Sequence, residues 1–483
     1  MLKQKPPVVV ILGHVDHGKT TLLDFLRQTK MAEKEVGGIT QKIGAYEIEF
    51  EGKKITFIDT PGHEAFNNLR TRGAKIADIG VVVIAADDGV MPQTLESLEI
   101  LKALNLPFII AINKIDKSNA NPDKVIYELI QKGYLIEGYG GEIPVVKISA
   151  KTGKNVDELL KLINLLGEIH NLKYDPEIPG QGYILEASKD QKTGYLATII
   201  PQNGKISYGD FLITSSTFCK IKIFLDQFNH PLKELYPSTP AIIGPFEDLP
   251  LAGANFKVGL KEDIEAIKEE LMSKETIIRK KITVSSIDQV TSDFNFIIRV
   301  DHLGSLEAIE NILKNLAQET SKNIKIVKAD VGLPTFEDIR LAKQTNSYVI
   351  IFNLKLPKQT LQDLVDYNIK YVQHNIIYHL IDDIKKILEN KPLSRETKGV
   401  LEVLETFSKT SIKKTIGGRV SEGSFRVGNK VNIKRDQFII GSGKIISLKK
   451  EKVSVDEVKS GELCGMQIET KVDIEKGDII ERI

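Results

Sequence analysis

The chain has too little of three things to build certain classes of protein. Two cysteines, Cys219 and Cys464, stand among 483 residues. Their separation fits no metal-ligand pattern, and so small a number excludes a disulfide-stapled scaffold and suits a reducing compartment. No stretch approaches the roughly 20 consecutive apolar residues that span a bilayer. The amino-terminal "MLKQKPPVVV" runs at once into a glycine loop, unlike a secretory signal. Charge of one sign is not in excess either: 66 Lys and Arg face 65 Asp and Glu. Any nucleic-acid surface must therefore be local. These absences leave a cytoplasmic, globular chain with no membrane partner, and its length calls for three or four domains.

What is present is alternation. Over 1–172, apolar runs at 8–12, 54–59, 80–86, 107–113 and 143–149 read as buried strands. Helical patterns near 18–28, 64–75, 93–104, 122–132 and 154–169 separate them. Strands alternating with helices predict a doubly wound, largely parallel sheet with its ligand at the carboxyl ends of the strands. After the Pro/Gly linker "YDPEIPGQG", residues 178–262 read as a small β-barrel. Residues 263–373 begin with a charged helical connector and continue as a second, smaller α/β unit. At 374–393, apolar Ile377, Leu380, Ile381, Ile384 and Leu388 recur at helical spacing. That helix either packs on its own domain or links to the next. Residues 394–483 read as a terminal β-barrel. The segments "GKISYGDFLI" and "GSFRVGNKVNI" are alike, through duplication or through common turn grammar. The expected class is multidomain α/β plus β.

Gly13, His14, Val15, Asp16, His17, Gly18, Lys19 and Thr20 spell "GHVDHGKT", which fits G-x-x-x-x-G-K-[ST] between a strand and a helix. Gly13 and Gly18 let successive N–H groups face one anion, and the helix N-terminus adds positive charge. Lys19 reaches the β- and γ-phosphates, and the Thr20 hydroxyl is an oxygen ligand of the kind Mg²⁺ prefers. Asp59 closes the strand "KITFID", placed to hold Mg²⁺ through water, and Gly62 of "TPG" lets its amide approach the γ-phosphate. In "NKID", the carboxylate of Asp116 can accept both N1–H and the exocyclic amine of guanine, which adenine does not offer in that arrangement; Asn113 and Lys114 brace base and loop. Ser149, Ala150 and Lys151 form "SAK" after the next strand, resembling the loop usually found behind the guanine O6. Four motifs, each at a strand end, imply GTP or GDP with Mg²⁺.

"GHVDHGKT" with "DTPGH" resembles the translational GTPases, and "EVGGITQKIGAY" (35–46) with "HEAFNNLRTRGA" and "AADDGVMPQTLES" resembles bacterial translation initiation factor 2. The likeness runs through "YPSTPAIIGPFEDLPLAGANF", "DHLGSLEAI", "VGLPTFEDIRLA" and "GRVSEGSFRVGNKVNIKRD", covering nearly the whole chain as a compact form without the long amino-terminal extension of many members. It implies that Thr40 is the switch threonine that meets Mg²⁺ and γ-phosphate, and that His63 is the catalytic residue of a ribosome-stimulated GTPase. A histidine there can accept a hydrogen bond from the attacking water or donate one toward the phosphate; positioning is the expected main role. The implied partners are the small and large ribosomal subunits, ribosomal RNA and initiator tRNA, with the chain a monomer off the ribosome.

The resemblance assigns the formylmethionyl end of initiator tRNA to the terminal barrel. Residues 411–460 hold twelve Lys or Arg against five Asp or Glu, a surplus that is either a solvated face or an acceptor-stem contact. Arg419, Phe425, Arg426, Lys449, Lys450, Lys452, Cys464 and Gly465 are the candidate contacts. The chain departs from the family pattern at Arg419 and at "LCG", where Leu463 stands in place of Glu. The alternatives are an elongation factor delivering a specialised aminoacyl-tRNA, a nucleotide-gated scaffold without useful turnover, and an ATP-driven enzyme, which Asp116 opposes.

Overall fold

The computed structural model describes residues 2–27, 40–260, 262–264, 294–389, 399–409, 413–422, 424–435, 438–450, 453–459, 461–470 and 472–482. The expected switch loop up to residue 39, the connector beyond 264 and Lys452 lie outside the described residues. Two compact units are present, Met1–Glu389 and Asn390–Ile483.

The first sheet is built from runs that are apolar without interruption. β1 (Val8–Gly13), β2 (Gly44–Phe50), β3 (Lys53–Asp59), β4 (Ile79–Ala85), β5 (Phe108–Asn113) and β6 (Val145–Lys147) stand in the order β2-β3-β1-β4-β5-β6. Every residue of β1 and β4 is buried, as a parallel sheet covered on both faces requires. α1 (Lys19–Arg27) and α5 (Val156–Ile169) share a core with Val9, Ile11, Val81 and Val83. α2 (Asn67–Ile76) crosses the opposite face at Gly73, where a Cβ would press on Val10 and Ile58. α3 (Pro92–Ala103) and α4 (Pro122–Gln131) complete the layers. β2 has no counterpart among the expected strands. It runs antiparallel to β3 across the two-residue turn Glu51–Gly52, both at positive φ, the geometry of a tight hairpin. β3 and β4 flank β1 on opposite sides, so the loop after β1 opens at the crevice where the strand order reverses.

β7 (Gln181–Asp190), β8 (Gly194–Asn203), β9 (Phe211–Thr214), β10 (Phe218–Lys220), β11 (Ile223–Leu225), β12 (Ala241–Phe246) and β13 (Asn255–Gly259) form an antiparallel sheet, β10-β9-β13-β7-β8-β12-β11. All seven strands contribute to one core. Next come β14 (Phe294–Val300), α6 (Leu303–Thr320), β15 (Ile324–Val331), α7 (Phe336–Thr345), β16 (Tyr348–Phe352), α8 (Lys358–Asp366), β17 (Tyr371–His374) and α9 (Ile377–Leu388). Their strands lie parallel in the order β15-β14-β16-β17. α7 starts on a reciprocal Thr335–Asp338 capping box. α9, inside the expected linker helix 374–393, buries Ile377, Leu380, Ile384, Ile387 and Leu388 and packs beside β17.

In the second unit, β18 (Val400–Lys409), β19 (Lys413–Glu422), β20 (Lys430–Arg435), β21 (Phe438–Lys450), β22 (Leu463–Glu469) and β23 (Ile479–Arg482) run β20-β23-β18-β19-β22-β21, and β20 pairs back onto β21. That pairing closes a six-stranded antiparallel barrel, which leaves no edge among those strands. Cys219 and Cys464 are buried free thiols. No described helix is long and apolar enough to cross a membrane.

Candidate functional site

The phosphate loop is shaped by what its glycines avoid. Gly13 and Gly18 hold φ of +137° and +90°, and a Cβ on them would strike the Val83 carbonyl and the Asn113 amide nitrogen. Only glycine suits both demands. Inside the curl, Lys19 Nζ donates to the carbonyls of Gly13 at 2.9 Å and His14 at 2.6 Å. Burial brings its pKa down to about 8, with the nearby Asp59 carboxylate opposing that shift. His17 points away, into the sheet: its Nδ1 lies 3.3 Å from the Val83 carbonyl, and burial lowers its pKa to about 4. Its side chain is loop scaffolding, while its carbonyl accepts a hydrogen bond from Asn113 Nδ2 at 2.9 Å.

Asn113 ties two loops together, because its Oδ1 also accepts the Ala150 N–H at 2.9 Å. Asp116 accepts the Ser149 hydroxyl at 2.6 Å, and that bond is the first cause holding its carboxyl below the usual range. Lys114 takes a positive φ of 64°, its ammonium 3.5 Å from Asp88. Thus "NKID", "SAK" and the phosphate loop form one hydrogen-bonded assembly. Lys151 is exposed at its edge.

At the phosphate end, a cavity of about 180 Å³ is lined by Val15, Asp16, Gly18, Lys19, Thr20, Thr40, Gly62 and His63, with Thr21 and Tyr378. The hydroxyls of Thr20 and Thr40 lie 2.9 Å apart, and buried Asp59 ends β3, next to β1. This all-oxygen donor set fits Mg²⁺, an ion that takes few protein ligands beside phosphate and water. Gly62 approaches so closely that a Cβ would lie 2.6 Å from Lys19 Nζ.

His63 caps the turn Glu64–Phe66: its Nδ1 accepts the Ala65 N–H at 2.9 Å. Burial lowers its pKa, against the pull of Glu64. Arg70, fully buried on α2, donates to the His63 carbonyl at 2.6 Å, to the Gly62 carbonyl at 3.3 Å and to Glu96 at 2.6 Å. Tyr378 of α9 lies edge-on to the His63 ring, centroids 4.5 Å apart. Sequence reasoning missed Arg70, although it sits inside the quoted "HEAFNNLRTRGA". Tyr378 carried no motif signal.

In the second unit, a groove of about 420 Å³ is lined by Leu404, Phe407, Gly417, Gly418, Lys449 and Leu463, with Glu405, Cys464 and Gly465. Phe407 is 64% exposed and Leu463 55%. Gly417 leaves room for the Phe407 ring, which a Cβ would meet at 2.8 Å. Arg419 and Leu463, the two positions that depart from the family pattern, are cross-strand neighbours. Phe425 corrects an expectation. It is fully buried in the barrel core and has no face to offer a ligand. Arg426, the next residue along, points outward and pairs with Glu457. Lys450 pairs with Glu462 at 2.6 Å. Arg419 and Lys449 are exposed and make no ion pair among the described residues.

Residues 4–167 match the Elongation factor Tu GTP binding domain, 179–259 the Elongation factor G domain 2, and 268–385 Translation-initiation factor 2. The Translation initiation factor IF-2 of Bacillus subtilis is 40% identical over 99% of this chain and 69% of its own length. The chain belongs to the translation initiation factor IF-2 family. The IF-2 of Bartonella tribocorum is 41% identical over 99% of this chain, which spans only 59% of that relative. Among solved structures, GDP-bound aIF5B from Aeropyrum pernix is 24% identical, covering 99% of this chain and 92% of its own, with a TM-score of 0.46. Within the family's frame, Val15, Asp16, Gly18, Lys19, Thr20, Thr40, Gly62 and His63 line one cavity, Asp59 ends the strand beside it, and Asn113 ties the phosphate loop to Ala150 of the loop whose Ser149 holds Asp116.

Proposed function

We propose that the chain is a cytoplasmic translation initiation factor: a GTPase that recruits formylmethionyl initiator tRNA to the small ribosomal subunit, promotes joining of the large subunit and hydrolyses GTP under ribosomal stimulation. The observation that carries the reading is the joining of a phosphate cavity holding Lys19, Thr20, Thr40 and His63 to a base end held by Asp116 and Ser149. Family membership supports the ribosomal partners, and the apolar groove beside Lys449 supports the acyl end of the tRNA.

Lys19 and the amides of the curled loop bind the phosphates. Asp116 accepts the two guanine N–H groups, with the Ser149 hydroxyl fixing its orientation. Thr20, Thr40 and Asp59 would hold Mg²⁺, which when bound neutralises charge on the phosphate oxygens. His63, neutral and tied through Nδ1, presents Nε2–H to the phosphate or the attacking water; for a loose transition state such positioning is the main protein contribution.

The test is GTP turnover measured with ribosomes and initiator tRNA. Asp116→Asn should weaken GTP roughly a hundredfold, since it removes charge-assisted bonds to guanine. It should bind xanthosine triphosphate better than GTP, because an amide N–H matches the xanthine 2-oxygen. GTP affinity unchanged in Asp116→Asn, or turnover indifferent to ribosomes, would overturn the reading.

A further inference from the structure

Two segments placed to feel a γ-phosphate, Thr40–Lys42 and Gly62–His63, are touched by the first turn of a helix from another part of the first unit. α9 starts without a side-chain cap of its own, since Ile376 supplies none. The first N–H groups of a helix need partners from elsewhere. Gln41 provides one across 336 positions: its Oε1 accepts the Ile377 N–H at 2.9 Å, while its Nε2 donates to the Asn375 carbonyl at 2.8 Å. The neighbouring Lys42 meets Asp301, at the end of β14, at 2.7 Å.

One residue further along α9, the Tyr378 ring stands at 67° to the His63 ring, with centroids 4.5 Å apart. Tyr378 also lines the phosphate cavity, and among the described residues it is the one lining residue from outside residues 1–172. His63 is therefore held from two sides, by the Ala65 N–H on Nδ1 and by an aromatic edge contact on the ring. Tyr378 is 41% exposed, so packing in the α/β core does not account for its position.

We propose that Tyr378 restrains hydrolysis by acting on His63: its ring holds the imidazole against the cavity wall, and fast turnover waits until the first turn of α9 draws away. The proposal rests on the reading of the chain as a GTPase that uses His63. An edge-to-face pair of this kind biases one ring placement over others by about two- to tenfold.

The experiment is single-turnover GTP cleavage by the full chain without ribosomes, with GTP affinity and thermal midpoint measured in parallel. Tyr378→Ala should cleave about two- to tenfold faster than wild type at unchanged GTP affinity. Tyr378→Phe, which keeps the ring, should match wild type. Tyr378→Leu, which keeps apolar bulk for folding, should behave as the Ala variant does. His63→Ala should be slow, and His63→Ala with Tyr378→Ala equally slow. The pH midpoint of cleavage should rise in Tyr378→Ala, because the imidazole loses its shield. The charged groups around it stay the same: Glu64 and Arg70 on its own segment, Asp16 and Lys19 on the phosphate loop. Ala and Leu variants at or below the wild-type rate, with GTP affinity intact and His63→Ala slow, would overturn this inference alone. A double variant as fast as Tyr378→Ala would overturn it too. His63→Ala at the wild-type rate would sink both this inference and the catalytic reading beneath it.

Discussion

With Nδ1 of His63 accepting the Ala65 N–H, the proton of the neutral ring sits on Nε2. In that arrangement His63 is a donor, and it cannot take a proton from water through the same nitrogen. Burial lowers its pKa, so the neutral, capped form prevails at neutral pH and is lost only as pH falls through a value below 6.5, when Nδ1 gains a proton and the cap that fixes the ring breaks, although Nε2–H remains a donor. Cleavage of GTP by the wild-type chain should therefore be level between pH 6.5 and 7.5 and decline on the acid side. The substitution that separates donor from base is His63→Gln, whose amide also offers an N–H. It should keep turnover within about tenfold of wild type, whereas His63→Ala should lose roughly a hundredfold, the usual effect of deleting one transition-state donor. Gln as damaging as Ala, under ribosomal stimulation, would instead favour proton abstraction.

At the scale of the element, α2 locates the His63 loop through Arg70. The guanidinium spans Glu96 of α3 and the Gly62 and His63 carbonyls, a reach that depends on several donors set in one plane. Arg70→Lys keeps the charge and loses the span. It should fold, bind GTP almost as wild type does, and turn over about tenfold more slowly because the loop is less fixed. Arg70→Ala should cost about 2–3 kcal/mol of stability by chemical denaturation, less than for a wholly buried pair since Glu96 is 27% exposed. Equal turnover in Arg70→Lys and wild type would remove the loop-fixing role. Elements also mark how far the sequence could be read. β1 and β4 were legible because both faces are buried, which leaves an unbroken apolar run. β2 was not, since its mixed pattern lies beside a loop motif and its Glu-Gly turn is a weak signal. Phosphate and base motifs were legible because each is local, a loop at one strand end. Gln41 and Tyr378 were not, because their meaning lies in contacts to residues hundreds of positions away. Phe425 and Arg426 were assigned to one ligand although adjacent residues of a strand face opposite ways; the structure puts Phe425 in the core and Arg426 in solvent.

For the whole molecule, net charge and local charge lead to different expectations about RNA. The chain is nearly neutral, and the surplus of basic residues in 411–460 reads as either a solvated face or an acceptor-stem contact. Folding changes that balance. Arg426 pairs with Glu457, Lys434 with Glu481, Arg435 with Asp478 and Lys450 with Glu462. Glu481 and Asp478 lie outside the basic window, so counting within it hid the partners. Arg419 is opposite Leu463 in the sheet, and Lys449 lines the groove beside exposed Phe407 and Leu463. An acceptor end bound there would meet Arg419 and Lys449, two cations without an ion pair among the described residues, and an apolar floor. Binding of formylmethionyl initiator tRNA by the full chain, titrated against KCl, should then give a log–log slope of about −1.6, at 0.7–0.9 per phosphate contact, and not the roughly −8 or steeper of a surface that uses every basic residue. Arg419→Ala and Lys449→Ala should each flatten the slope by about one. Phe407→Ala should weaken binding roughly tenfold at every salt concentration and leave the slope alone, because what it removes is buried apolar area. A steep slope that survives both charge substitutions would mean that the paired cations exchange their carboxylates for phosphates, and that the surface acts by charge over a wide face with the groove as a minor contributor.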